Sequence, residues 1–339
     1  MRDEAFACCY DWEQGPGKAT ARYANPGCRV LHRHDRLIIM TRTNHDQFAK
    51  QYLAELLAPL GSVEPGREVT GSVQQADIWF IPGEVASAER LVLGLLSQMA
   101  SSPCLLEPFR NPPNLAEVRS CLLKLFLLHG EFQRQSRRDR ASGATSDTLK
   151  EDDLPRLWIL VPSASTALLD GFGAKRNELD WPEGIYLLPQ SLRTALVALN
   201  KLPRTESTLW LRILGKGATQ RQAIDELLAL SKEHPLRNNV LELLANWRIF
   251  LEEKQTLDEE ERELIMNLSP AYLQRMEEAR LEGQRVVVEN LLKIRFGTLD
   301  SELSSLIEPL LQLPPEEFTP MLLNLERSEL LNRFRGQTH

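Results

Sequence analysis

Long apolar runs are missing from this sequence. The longest, Leu91 to Leu96 and Leu122 to Leu128, reach about a third of the ~20 residues that a bilayer crossing requires, so no membrane-spanning helix is expected. Cysteine is scarce and irregularly spaced. Cys8, Cys9, Cys28, Cys104 and Cys121 are odd in number and follow no signal-peptide pattern, which argues against a disulfide framework and for a reducing, cytoplasmic setting. Positive charge is not in excess either: 40 Lys plus Arg stand against 47 Asp plus Glu, a net charge of −7, which excludes a polycation built to coat nucleic acid. A nucleic-acid site has to be local. Phosphate-loop spacing is absent around Gly15, Gly17 and Lys18, and no Gly-x-Ser-x-Gly turn frames Ser163 or Ser165 as a nucleophile.

What remains is an ordinary globular balance, 42% hydrophobic and 26% charged over 339 residues. At about 150 residues per domain, that length suggests roughly two domains. Residues 1–39 show no sustained period and read as unstructured. Sharp periodicity begins just after Met40, which makes Met40 a candidate native start, with a disordered tail as the alternative; His32 and His34 in this segment have no partners for a metal site.

From Asn44 to Leu60, Phe48, Tyr52, Leu53, Leu56, Leu57 and Leu60 follow helical spacing, with Asn44 or Asp46 as the N-cap. Gly61, Pro65 and Gly66 read as a break, followed by extended segments at Glu68 to Val73 and Ala76 to Ile81. A helix over 84–100, a strand from Cys104 to Phe109 and a helix from Leu115 to Phe132 come next. A solvated loop, Ser136 to Asp153, then precedes strands at Leu157 to Val161 and Ile185 to Leu188. This order suits an α/β sandwich around a mixed sheet over 40–202. Beyond Pro203 only helical patterns remain: Gln220 to Leu230, Pro235 to Glu253, Glu259 to Asn267 and Pro270 to Arg295, the last stopped by Gly297 in the αL conformation. We divide this all-α part into a helical region, 203–285, and a small terminal domain, 286–339. Leu251 to His339 holds 10 basic and 18 acidic residues, a composition that repels phosphate backbones.

Two strands interrupt their apolar runs with one carboxylate each. Strand alternation puts Asp77 on a face with Trp79 and Ile81, and Glu107 on a face with Leu105 and Phe109. A buried carboxylate has to be neutralised, paired, solvated at a sheet edge or bound to a cation. On neighbouring strands the two acids would converge on Mg²⁺ or Mn²⁺, hard cations that take oxygen ligands and activate water toward a phosphodiester. The alternative is that Arg67, Arg110 or Arg119 pairs with them and holds strand ends in register. Pro108, lacking an N–H, either weakens the case for a strand there or places the end of that strand at a sheet edge.

Through Asn44 to Lys50, the Asp77 strand, the Glu107 strand and the helix after it, the chain resembles the restriction-endonuclease-like PD-(D/E)XK superfamily. Its recombination-promoting, transposase-like branch common in cyanobacteria is the nearest in pattern, and the resemblance covers about Met40 to Asn200. Leu291 to Phe334, around Arg295-Phe296-Gly297, resembles the small helical domain of unknown function that often follows such a module. The resemblance implies a metal-dependent DNA endonuclease with Asp77 and Glu107 as metal ligands, and a homodimer as a family-level expectation. It also implies a lysine two residues after the glutamate, where this chain has Phe109. Arg119 or Lys124 on the following helix is then the candidate basic group, with Asp46 as a further acid. His45 reads as a surface or capping residue. Arg134, Arg137, Arg138 and Arg140 form a basic cluster suited to a DNA backbone or to plain solvation, and Gly215-Lys216-Gly217 reads as a helix-initiating turn. The Phe109 departure motivates the alternative of an inactive nuclease-like scaffold that binds or assembles.

Overall fold

An unbroken apolar run such as Leu157 to Val161 needs cover on both faces, which is the environment of a central parallel strand. The computed structural model puts it there. It describes residues 33–69, 75–84, 87–142 and 149–334, with side chains from His45 onward other than 87–89. The chain divides into a unit ending at Thr41 and one running from Arg42 to His339, and the architecture below is that of the second.

The elements are α1 (Arg33–Leu57), β1 (Gly61–Glu68), β2 (Gln75–Pro82), α2 (Ser87–Val92), α3 (Leu95–Met99), β3 (Cys104–Pro108), α4 (Leu115–Ala141), β4 (Arg156–Val161), α5 (Thr166–Gly171), β5 (Lys175–Arg176), β6 (Ile185–Leu187) and β7 (Thr194–Ala198). Helices follow: α6 (Glu206–Arg212), α7 (Ala218–Ala229), α8 (Arg237–Glu252), α9 (Glu259–Phe296), α10 (Ser301–Ser304), α11 (Ile307–Leu311), α12 (Pro315–Asn324) and α13 (Arg327–Phe334). The strands form one mixed sheet in the order β1-β2-β3-β4-β7-β6-β5, with β3, β4 and β7 parallel and the outer pairings antiparallel. The expected mixed α/β sheet followed by an all-α region is therefore present.

One face of the sheet, with Ile78, Phe80, Leu106 and Trp158, is covered by α1, α3 and α6 to α9 in a single core. The opposite face, with Trp79, Leu105, Ile159 and Leu196, is covered by α4 and α5. Helices α6 to α9 thus complete the α/β core, so residue 203 does not separate two cores. The Tyr52 hydroxyl donates to the Trp210 carbonyl (2.8 Å) and the Trp210 indole to the Val92 carbonyl (2.8 Å), tying α1, α2 and α6 together. A third core, from Val288 to Phe334, is separate and belongs to the terminal helices.

Several elements differ from the expectation. The segment around Pro65 and Gly66 is not a break but lies inside β1, an edge strand, where a missing N–H and a positive φ at Gly66 (65°) are tolerated. Residues 70–74, part of the strand expected there, lie outside the described residues, as do 1–32 with His32 and the Gly15-Gly17-Lys18 stretch. α1 begins at Arg33, within the segment read as unstructured, so neither Asn44 nor Asp46 is its N-cap. Gly94 (φ 51°) splits the expected 84–100 helix into α2 and α3. α4 runs through Ala141, so Arg134, Arg137, Arg138 and Arg140 all stand on helix and none on a loop. Pro108 ends β3 in the interior of the sheet instead of at its edge. β7 and α6 have no counterpart among the elements expected from the sequence. α9 continues past Pro270 because Leu264, Leu268 and Ala271 are buried on either side of it. Gly297 ends α9 with φ 84° and ψ −124°, outside the αL region expected of it. Among the described residues no helix is long and apolar enough to cross a membrane.

Gly94 lies against α6 so closely that a Cβ there would meet the Ser207 backbone at 2.5 Å, in a conformation that L side chains rarely adopt. Gly94→Ala is expected to destabilise the fold by about 1–3 kcal/mol, read as a lower urea midpoint with an unchanged slope.

Candidate metal centre

Glu107 is positioned by the rule that buries its neighbours. β3 is an interior strand, all five of its residues are buried, and Glu107 is 1% exposed. β2 runs antiparallel beside it, and their pairing ends at Ile78 opposite Leu106. One step further stand Asp77 and Glu107, opposite each other, at the end of the sheet where β3, β4 and β7 finish. Pro108 explains why the ladder stops there, since it has no N–H to extend it. The Asp77 backbone N–H turns instead to the Glu107 carboxylate, donating to Oε1 at 3.2 Å.

Lysines from two helices reach this sheet end. On α4, capped by Asn114 in a reciprocal box with Glu117, the buried stripe Val118, Cys121, Leu122, Leu125 and Leu128 faces the sheet. Lys124 Nζ approaches Glu107 Oε2 at 2.7 Å from that helix. On α1, Lys50 Nζ lies between Asp46 Oδ2, one turn back (2.7 Å), and Asp77 Oδ1 (3.0 Å). The result is a continuous chain of charges, Asp46, Lys50, Asp77, Glu107 and Lys124. Cys121 Sγ sits 3.9 Å from Glu107 Oε2, and burial pushes its thiol well up, so it is no nucleophile.

The electrostatics are those of too much negative charge in too little water. Burial, then the charge of Asp77, pushes the Glu107 carboxyl up to about 8, against the pull of Lys124. Burial and Asp77 likewise raise Asp46. Burial pulls Lys124 down, but the Glu107 and Asp77 charges more than offset it and hold its ammonium protonated. Lys50 is raised in the same way, its bonds to Asp46 and Asp77 outweighing desolvation. Three carboxylates against two ammoniums leave one negative charge uncompensated. A proton on Glu107 fills that deficit; so does a cation. The donors are hard oxygens, which suit Mg²⁺ or Mn²⁺. Among the described residues no three His, Cys, Asp or Glu side chains are grouped as a ready-made cage, so waters would have to complete any coordination sphere.

Of the candidate residues, Asp77, Glu107, Lys124 and Asp46 come together. Arg119 does not: it is exposed on α4, away from the stripe that faces the sheet. The arginines suggested as structural partners for the two acids are engaged elsewhere, Arg67 with Glu64 and Glu131, and Arg110 with Glu260. Phe109 packs into the core on the α4 face. Lys50 is the member of the group that sequence reasoning missed, and its four-residue spacing from Asp46 was the available signal. His45 is neither at the surface nor a cap; it is buried, edge-on to Trp247 (5.7 Å), with Nε2 unpartnered. Burial, then the charges of Arg110 and Lys216, lowers its pKa to about 3. Lys216 bonds Asn111 (2.8 Å) and Glu260 (3.0 Å), and Ser165 caps α5. Compared with known protein families, curated proteins and solved structures, the chain gives no match.

His45 carries a pH signature. Its folded pKa lies below the unfolded value, so the unfolded chain binds more protons as pH falls from 6.5 toward 3, and stability drops across that window. His45→Phe is expected to flatten the acid limb by up to about 1.4 kcal/mol per pH unit, measured by urea titration at stepped pH.

Proposed function

We propose that the chain is a metal-dependent DNA endonuclease of PD-(D/E)XK type with its basic residue moved from the strand to the helix. The observation that supports this reading is Lys124 Nζ, 2.7 Å from Glu107, which directly opposes Asp77. A lysine on the strand itself would stand at position 109, and that place is taken by a core phenylalanine.

Asp77 and Glu107 would hold Mg²⁺ or Mn²⁺. When bound, such an ion supplies a Lewis acid that activates water and offsets the charge growing on a phosphodiester. Lys124 keeps its proton at neutral pH, so it acts as a hydrogen-bond donor and a fixed positive charge and not as a base. Lys50 aligns the Asp77 carboxylate through Oδ1 and is itself held by Asp46. Arg134 and, one turn on, Arg137 and Arg138 are exposed on α4. At 1.5 Å per residue they begin about 15 Å along the helix from Lys124, less than half of the roughly 34 Å turn of B-DNA, and Arg140 extends the cluster.

A second reading has its own observation. Lys50 and Lys124 already pair with Asp77 and Glu107, so these ion pairs also suit a scaffold that is catalytically inert and retains binding or assembly. Nicking of supercoiled plasmid separates the two. With Mg²⁺ or Mn²⁺ the wild type is expected to nick. Asp77→Asn, Glu107→Gln and Lys124→Met are each expected to slow nicking by about 10²-fold or more, the usual effect of removing one group that stabilises a transition state. No nicking with either ion, together with no Mn²⁺ binding by calorimetry, rejects the enzyme. In DNA-binding titrations, Arg134→Ala/Arg137→Ala/Arg138→Ala is expected to weaken affinity and to lower the salt slope by about 0.9 for each phosphate no longer neutralised.

A further inference from the structure

α9 is 38 residues long, and its two ends belong to different cores. Leu264, Leu268 and Ala271 pack into the α/β core, Val288 and Leu292 into the terminal one, and no residue between Ala271 and Val288 is buried. A bridging segment of this kind is expected to be polar on its solvent side. It is not. Met266, Leu273, Met276, Val286, Val287 and Ile294 are all exposed, Leu273 at 65% and Ile294 at 80%.

Their spacing is ordered. Met266, Leu273, Arg280, Val287 and Ile294 recur every seven residues, and Ser269, Met276, Gly283 and Asn290 hold the complementary position three residues on. Seven-residue spacing of apolar positions marks a helix that packs along its length against another helix. Gly283 is an independent sign. A glycine inside a helix is disfavoured relative to alanine, and a Cβ at Gly283 would meet nothing within 4 Å. Among the described residues, nothing within one copy of the chain uses the space it leaves.

We propose that this stripe is a self-association seam, along which α9 packs antiparallel against α9 of a second copy of this chain. Charge decides the occupant and its direction. From Glu259 to Glu277 the helix has five acids and two bases, and from Glu278 to Phe296 three acids and four bases. Antiparallel packing sets the acidic half against the basic half, while parallel packing sets like against like. One antiparallel register places Leu273 over Gly283 of the second copy and sets Glu261 and Glu263 opposite its Arg295 and Lys293. The long side chain then fills the space left by the missing one. The polar residues of the two rows, Ser269, Arg280 and Asn290, also restrict the register. This inference does not rest on the nuclease reading.

Sedimentation velocity of the full chain from low to high micromolar concentration tests it. A dimer is expected, and Leu273→Glu/Val287→Glu is expected to sediment as a monomer with an unchanged circular dichroism spectrum and melting temperature, since both positions are exposed in one copy. A wild-type monomer throughout the range, or a double variant that stays dimeric, overturns the seam. Direction is read by oxidative cross-linking in a background with Cys8, Cys9 and Cys28 replaced by serine. Mixed Leu273→Cys and Gly283→Cys chains are expected to link to each other in preference to themselves, and self-linking of either alone overturns the antiparallel register.

Discussion

A carboxylate in the middle of a sheet is the constraint around which this molecule is arranged. Glu107 occupies a strand flanked on both sides and covered by α4, where its neighbours are leucines and its charge has almost no water. Leaving such a group unpaired costs several kcal/mol. The structure meets that cost with one ammonium at bonding distance and one backbone N–H, and burial still raises the carboxyl above its usual range. Removing Lys124 would not simply delete an attraction; it would leave the burial penalty of Glu107 unopposed. A second acid directly across the ladder makes the problem worse, because like charges opposite each other repel. A fold that needed only stability would replace both with apolar residues of similar volume.

The same acids are the most legible feature of the sequence, for a physical reason. Burial makes an ionisable residue conspicuous, and a carboxylate inside a β-branched or leucine-rich run stands out against strand alternation without any knowledge of the fold. Lys124 is only half legible: helix spacing puts it on or near the α4 stripe, but choosing it over Arg119 requires knowing which side of that helix faces the sheet. Lys50 is harder still, since it approaches Asp77 from a helix on the opposite face of the sheet, by way of the strand ends. His45 misleads because a residue at the apparent start of a helix reads as exposed, whereas α1 begins twelve residues earlier, at Arg33.

The fold divides along the same line. Helices with a repeating buried stripe are the readable ones: α7 and α8 lie within two residues of their expected bounds, and α4 starts where expected but runs nine residues past its expected end. β7 escapes because Thr194 to Ala198 is short and buried throughout, and such a run has no alternation to reveal a strand. β1 escapes because Pro65 and Gly66 are signals of interruption in general and permitted exceptions on an edge strand. Pro270 misleads in the opposite way. It removes one hydrogen bond from α9, but the buried residues on both sides of it gain their packing only if the helix continues. In each case a local preference of about 1–3 kcal/mol is overridden by burial that no local window contains.

Helix α6 and those after it have a part in the site that their sequence does not announce. Arg110, three residues after Glu107, is drawn toward Glu260 of α9 and the Gly215 carbonyl, and Lys216 is drawn to the same Glu260. These bonds fix two cations beside the sheet end without letting either reach Glu107 or Asp77. His45 stays neutral between them because it is buried and because both are positive. The helical region therefore does more than cover an apolar face. By engaging Arg110 it reserves the space next to the two carboxylates, so that Lys124 and Lys50 are the ammoniums that meet them. The charge balance of the site, one positive charge short of neutral, is then set jointly by the sheet, by α4 and by helices that begin more than a hundred residues later.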